Sequence, residues 1–262
     1  MAVIWIDSGR FGPPLWTPAN ITTALWLDGA DASTVTTVNG AVSQWDDKSG
    51  NNRNVSQGIA ASRPVYNSAG FNGKGALSFD GSNDLLQSGA SITTGAYTGE
   101  FNVYWVATRS GSGGTILTER AGPRVASSMW LQTGFISSNG VETSSNHSIG
   151  VADINSLQSS GGLVFHRHLA SQRDILFLNG TQRAVLSGTS TDMNGGTQNF
   201  RIGAREGGVG AFWNGQICEI IVILFNPSTS DRQQVEGYLA HKWGLAPDLP
   251  ADHPYKAAAP TL

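Results

Sequence analysis

The sequence predicts an all-β fold, an antiparallel β-sandwich with one short C-terminal helix, on three observations. Charged residues are only 13% of the 262 and glycine supplies 33, a balance that suits short strands joined by many turns rather than helical bundles. Gly215 to Phe225 holds a near-continuous run of β-branched apolar residues, the pattern of a central strand buried on both faces. Val235, Tyr238, Leu239 and Trp243 then form a single apolar stripe at helical spacing.

The helix has readable ends. Ser230 with Gln233 has capping-box spacing, and Asp231 falls in the first turn, where the helix dipole favours a carboxylate. Gly244 followed by Pro247 stops the helix, by a left-handed cap and a residue that cannot continue it.

Upstream, residues 1–20 read as an extended arm. Val3, Ile4, Trp5, Leu15 and Trp16 are apolar, whereas Phe11-Gly-Pro-Pro denies regular structure, so the arm docks on a partner or on its own domain. Residues 21–246 form one domain and 247–262 a tail, since no linker divides the chain. Ala24 to Asp28 gives a first strand, and Val42 to Asp46 a second in which Val42 and Gln44 oppose Ser43 and Trp45. Leu77 and Phe79 share a face of a strand that reverses at Asp80-Gly81 into a second one. Strands follow over 101–108, 115–118, 128–132, 163–169 and 174–178. Asn179-Gly180 between apolar runs signals a hairpin into Gln182 to Leu186, and Phe200 to Gly203 leads through a glycine-rich loop to the central run.

Composition also excludes partners. A net charge of -3 with scattered Lys and Arg offers no stripe for phosphates, so nucleic acid is not expected. Cys218, the sole cysteine, lies inside the apolar run and reads as a buried inert thiol. No run is long enough to cross a bilayer, and the N-terminus lacks the basic and apolar regions of a signal peptide.

The order of Trp45-Asp-Asp-Lys-Ser-Gly-Asn, Leu77-Ser-Phe-Asp-Gly, Phe177-Leu-Asn-Gly, Ile202-Gly, Asn214-Gly-Gln-Ile-Cys-Glu-Ile-Ile-Val and Ser230 to Leu245 resembles the concanavalin A-like, laminin-G/pentraxin-type jelly-roll domains. Trp16-Thr-Pro-Ala-Asn, Leu25-Trp-Leu-Asp, Gly237 to Leu245 and Leu249-Pro-Ala-Asp-His-Pro-Tyr-Lys look like the version carried by tailed-bacteriophage virion proteins and some bacterial surface proteins. The resemblance implies a jelly roll and a setting, not a reaction.

Site candidates follow from both readings. Glycosidases need two carboxylates flanking one bond, and no Glu-x-Asp-x-Glu cluster exists here; Asp46 and Asp47 are adjacent and read as turn residues. The pentraxin likeness implies calcium at Asn83, Asp84 and Glu206, oxygen ligands of the right hardness, with the alternative that Asn83 and Asp84 only build a turn. His166 and His168 share a strand face with no assignable third metal ligand, so an exposed face is expected. Gly111-Ser-Gly-Gly has no helix behind it to cradle a phosphate. Trp105 and Trp243 belong to core faces, while Arg205, Trp213 and Trp130 are the candidates for contact with a sugar ring.

The expectation is a non-enzymatic virion surface protein, a head decoration or fibre or a tail adhesin, assembled in the host cytoplasm. It would be homo-oligomeric, bound to other virion proteins through its arm, and able to touch cell-surface glycans. A glycan-cleaving enzyme and a free-standing bacterial lectin are the alternatives.

Overall fold

The computed structural model describes residues 13–92, 100–110, 114–120, 128–132, 135–138, 160–169, 172–185, 199–205 and 210–262. Among these residues lie sixteen strands, all paired antiparallel, and one α-helix. The strands are β1 (Leu25–Asp28), β2 (Val35–Val38), β3 (Ala41–Trp45), β4 (Val55–Ser56), β5 (Val65–Phe71), β6 (Lys74–Asp80), β7 (Leu86–Ser88) and β8 (Phe101–Ala107). They continue with β9 (Thr115–Arg120), β10 (Ser128–Gln132), β11 (Phe135–Ser138), β12 (Gly162–Leu169), β13 (Gln172–Leu178), β14 (Thr181–Val185), β15 (Arg201–Ile202) and β16 (Asn214–Ile223). The helix, α1, spans Thr229–Trp243.

Pairing runs β11-β10-β9-β15-β7-β4-β3-β5-β6-β16-β8-β12-β13-β14, with β1 on β16 and β2 on β3. The link between β3 and β5 is one registered pair, Ala41 with Val65, and there the sheet turns over on itself. Two layers result, and one core fills the space between them. Val42, Trp45, Val55, Leu86, Leu117 and Ile202 come from one layer; Leu77, Phe79, Phe101, Val103, Trp105, Ile217, Ile220 and Val222 come from the other. The expected all-β sandwich with one C-terminal helix is what the described residues form.

β16 is the central strand that its apolar run predicts, with β1 and β6 on one side and β8 on the other. Its alternation breaks once. A register shift between Ile217 and Glu219 marks a bulge, after which Ile220 and Val222 face the sandwich core while Ile221 and Ile223 join the helix side. Cys218 and Glu219 therefore stand in succession on the helix side, a re-aiming that bulges perform. Burial pushes the Cys218 thiol well above its ordinary range, which keeps it inert.

Helix α1 packs Val235, Leu239 and Trp243, all fully buried, on this outer face, where Tyr104, Val106, Leu163 and Phe165 meet them. Each such side chain contributes up to about 1.5–3 kcal/mol. Gly244 takes the expected left-handed cap at φ 73°. The N-cap is Ser228 rather than Ser230: Ser228 Oγ accepts from the Asp231 amide, and Asp231 reciprocates on the Ser228 amide at 3.0 Å. Of two serines at box spacing, the one whose third residue is a carboxylate wins, because a charged acceptor suits the helix N-terminus better than the Gln233 amide.

The tail roofs the helix. Glu236, Gly237 and Ala240, off the predicted stripe, are buried too. A β-carbon at Gly237 would meet the Tyr255 side chain at 2.5 Å, which accounts for a glycine inside a helix. His253 Nε2 lies 3.2 Å from Glu236 Oε2, and His241 Nε2 lies 2.7 Å from the Tyr255 carbonyl. The chain ends meet as well: Trp16 N–H donates to the Pro260 carbonyl and Leu262 N–H to that of Pro14, both at 2.9 Å. Trp16 is buried beside the Tyr238 ring, while Leu15 is exposed. Residues 1–12 lie outside the described residues.

Two other expectations need correction. Val42 and Trp45 both point into the core, because the β2–β3 register passes over Ser43 and so resets the alternation. β6 and β7 do not form a hairpin. Asp80-Gly81 instead opens a crossing between layers, since β6 pairs with β5 and β16 while β7 pairs with β4 and β15. The Asn179-Gly180 hairpin is present, with φ of 48° and 75° and Leu178 opposite Thr181.

Candidate functional site

The crossing loop after β6 holds the first pair of calcium candidates. Asp80 Oδ1 accepts from the amides of Ser82, Asn83 and Asp84 at 2.8, 3.1 and 3.3 Å. Burial works to raise the Asp80 carboxyl, but these three N–H groups hold it below its ordinary range. Asp84 turns inward, 6% exposed, and its Oδ2 accepts from the Asp80 amide at 3.0 Å. Burial, then the Asp80 charge, pushes the Asp84 carboxyl up to about 6. With one Asp84 oxygen given to the Asp80 amide and Asp80 Oδ1 given to three amides, both side chains fit a loop that closes on itself. Asn83 is exposed and Glu206 lies outside the described residues. Among the described residues no group of three or more His, Cys, Asp and Glu could hold a metal.

The sugar-contact candidates separate. Trp213 is 0% exposed, within the core between the layers, and its N–H to Gly203 carbonyl bond of 2.8 Å ties the segment before β16 to the one after β15. Its indole is core rather than a platform for a ligand; apolar area outweighs the lone indole N–H in deciding its place. Trp130 takes a backbone position in β10 opposite Thr118. Arg205 follows Ala204, whose carbonyl accepts from the Thr118 hydroxyl at 2.9 Å, so Arg205 and Trp130 come to the same strand, β9, from two sides. His166, expected on an exposed face, is buried in β12, where it opposes Val103 and Leu176 and shares their face toward the core between the layers; the side chain at position 168 lies outside the described residues.

The densest ionic cluster is one the sequence reading missed. Glu219, turned to the helix side by the bulge, is 0% exposed and meets four donors. Trp26 Nε1 and the Tyr238 hydroxyl donate to Oε1 at 2.8 and 3.0 Å, and Trp243 Nε1 and Lys242 Nζ reach Oε2 at 2.7 and 2.8 Å. Lys242 also meets Asp28 at 2.6 Å, and Lys48 bridges Asp28 and Asp31 at 2.9 and 2.7 Å. Burial pushes the Glu219 carboxyl up against the pull of Lys242, while the Lys48 hydrogen bond takes Asp31 down to about 2. These contacts join β1, the loop after β3, β16 and α1. Every donor is a protein group and each acidic oxygen is engaged, so the cluster works as a clamp.

Asp47 plays a similar part nearby: Oδ1 accepts from the Trp26 and Ser49 amides at 3.0 and 2.9 Å, and Oδ2 accepts from the Arg53 amide at 3.0 Å. It is the turn residue its setting suggests.

The clamp has a consequence for access. Helix, tail and clamp close the outside of the layer containing β16 and β8, and no residue of β3, β4, β7, β9 or β15 belongs to that second core. On the outside of the other layer, among the described residues, Ser56 is exposed and Gln44, Gln87 and Arg201 are half-buried.

No protein-family description matches the chain, and no curated protein matches it in sequence. Solved structures do match its fold. The receptor-binding domain of botulinum neurotoxin D aligns at TM-score 0.54 and 14% identity over 82% of this chain and 52% of that one. The binding domain of Paraclostridial Mosquitocidal Protein 1 aligns at 0.53 and 11% over 82% and 52%, and Trypanosoma rangeli sialidase in complex with sialic acid at 0.51 and 13% over 83% and 33%. The chain thus spans between a third and about half of these structures, and at such identities the likeness is one of fold.

Proposed function

We propose that this chain is a non-catalytic recognition module, a lectin-like sandwich that binds cell-surface glycans. The observation that carries the reading is the disposition of its buried carboxylates. Glu219 and Asp28 are held by lysines and indoles, Glu236 by Arg232 and His253, and Asp84 by an amide. A glycosidase needs two carboxylates facing each other across a space that admits a sugar, one of them able to give a proton. Among the described residues these buried acids are spent on holding elements together, as is Glu119, whose Oε1 accepts from the Ile92 amide at 2.9 Å. The fold shared with a sialidase that was solved with sialic acid and with toxin binding domains supports the glycan side of this reading.

The proposed setting is the surface of a tailed-bacteriophage virion, as a head decoration or fibre or a tail adhesin. Its supports are the motifs of residues 16–28 and 237–256. Attachment to other virion proteins and self-association fall to the arm of residues 1–20. The test is paired. Incubation with oligosaccharides should give binding without release of reducing sugar, and turnover would overturn the non-catalytic part. Antibody against the chain should label purified virions, and particles without it would overturn the setting.

A further inference from the structure

We infer that Lys242 and Asp28 are the two halves of a self-made covalent cross-link: the Lys242 amine condenses with the Asp28 carboxyl to an isopeptide amide, and Glu219 moves the protons. The chain acts once, on itself, so the inference stands apart from what the module binds. Three observations at one point of the fold carry it.

The first is the pairing. Lys242 Nζ, on α1, lies 2.6 Å from Asp28 Oδ1, on β1, and Asp28 Cγ is one bond further on. Asp28 and Glu219 are buried, so a nucleophile and an electrophile 214 positions apart in the chain are held together where little water competes. The second is a route for protons. The ammonium donates to Asp28 Oδ1, to Glu219 Oε2 at 2.8 Å and to the Tyr238 hydroxyl at 3.0 Å; that hydroxyl donates in turn to Glu219 Oε1 at 3.0 Å. Two paths thus lead from one nitrogen to one carboxylate. Burial pushes the Glu219 carboxyl up, which favours its taking a proton, while burial and the Glu219 charge push the Tyr238 hydroxyl up, so it relays protons without losing its own.

The third is a cation on the other oxygen. Lys48 Nζ lies 2.9 Å from Asp28 Oδ2 and 2.7 Å from Asp31 Oδ2. Burial works against the Lys48 ammonium, but its hydrogen bonds to Asp31 and Asp28 hold it above its ordinary range. Lys48 therefore keeps its protons and serves as the fixed charge that a tetrahedral oxyanion on Oδ2 needs, rather than as the nucleophile.

The step balances. The Lys242 ammonium gives two of its three protons, in turn, to Glu219. Its freed lone pair forms the N–C bond to Asp28 Cγ, the C–O π pair moves onto Oδ2 beside Lys48, and on its return the C–Oδ1 bond breaks. Oδ1 receives both protons from Glu219 and leaves as water. An ammonium and a carboxylate become a neutral amide, Glu219 ends as it began, and no oxidant or co-reactant is consumed. Two charges disappear from a site where burying them is costly, which favours the product. Cys218 is the sole cysteine, so an internal disulfide is not open to this chain, and the amide ties its first strand to its helix instead.

The experiment is the intact mass of the full chain, denatured after storage in the folded state. Wild type should weigh about 18 Da less than its sequence, one water, and a peptide map should show the segments around Asp28 and Lys242 joined. Lys242→Arg and Asp28→Ala should restore the full mass. Asp28→Asn should still link, now with loss of ammonia, about 17 Da, a readout that a folding defect cannot imitate. Glu219→Gln, in preparations whose circular dichroism matches wild type, should slow the mass loss by about tenfold or more. A wild-type chain at its full sequence mass would overturn the inference. So would a link through Lys48, or a water loss that mild alkali reverses and that maps to an imide at Asp80-Gly81.

Discussion

The two outer faces of the sandwich are built to opposite rules. On one, a 15-residue helix and a docked tail cover the sheet, and the buried Glu219 and Asp28, paired with the partly exposed Lys242 and Lys48, fasten helix to sheet. On the other, the same antiparallel pairing presents polar side chains, with Ser56 exposed among the described residues. The difference teaches that this chain places its costly buried charges where they join distant segments, and keeps neutral hydrogen-bonding groups such as Gln44, Ser56 and Gln87 on the more accessible face.

The contrast is broken most severely at the clamp. In the ion-paired chain, before any amide forms, Lys242→Ala would leave Glu219 fully buried without a cation, and removing one partner of a buried pair costs about 3–5 kcal/mol. Urea unfolding should show the midpoint drop at an unchanged slope. A double variant, Glu219→Leu with Lys242→Met, should recover much of the loss, because apolar residues of similar volume tolerate the same site without desolvated charge.

What the sequence disclosed follows the same division. Features written locally were legible: the apolar run of β16, the Asn179-Gly180 turn and the Gly244 stop each depend on neighbours a few residues away. Features made by distant partners were not. Glu219 looks like an intruder in an apolar strand until Trp26, 193 positions earlier, supplies an indole donor. The bulges beside Ser43 and Cys218 cannot be read from alternation, since each one consists of breaking it. Trp213 was misread because a tryptophan near a loop has the same local signature whether a ligand or a second sheet covers it. The polar row of Gln44, Ser56, Gln87 and Arg201 is invisible for a further reason: its members come from four segments whose order in space, β3-β4-β7-β15, is set by pairing alone.

A smaller change sharpens the closed side. Gly237→Ala places a methyl group where the Tyr255 ring already lies, and relief requires the tail to lift. Overpacking of this kind costs about 1–3 kcal/mol. Protease cleavage C-terminal to Lys256 should accelerate along with the loss in stability; an unchanged cleavage rate would place the strain within the helix.

Smaller again is the effect at the loop between β6 and β7, the crossing from the closed layer to the open one. Asp84 titrates near 6 in the folded chain, above its value when unfolded. Between about pH 4 and that value the folded form holds a proton the unfolded form has released, so stability falls as pH rises through this window. The loss is about 1–2 kcal/mol after allowance for solvent at the loop. Asp84→Asn keeps an oxygen for the Asp80 amide and should flatten that stretch of the stability profile. A slope that survives the substitution would assign it to another group.

The smallest expected effect falls on the open face, and there smallness is the point. Gln44→Ala and Ser56→Asp remove or add polar atoms on a surface where no apolar contact is lost, so each should change stability by no more than about 0.5 kcal/mol. On the closed side a change of one side chain releases a helix and a tail together; on the open side the row is carried by backbone pairing, which does not depend on what its side chains are. A face that can be rewritten without unfolding can be selected for what it touches. If Ser56→Asp instead lowers the midpoint by an amount like that of Gly237→Ala, something in the intact protein covers this sheet too, and the two faces differ in their cover rather than in having one.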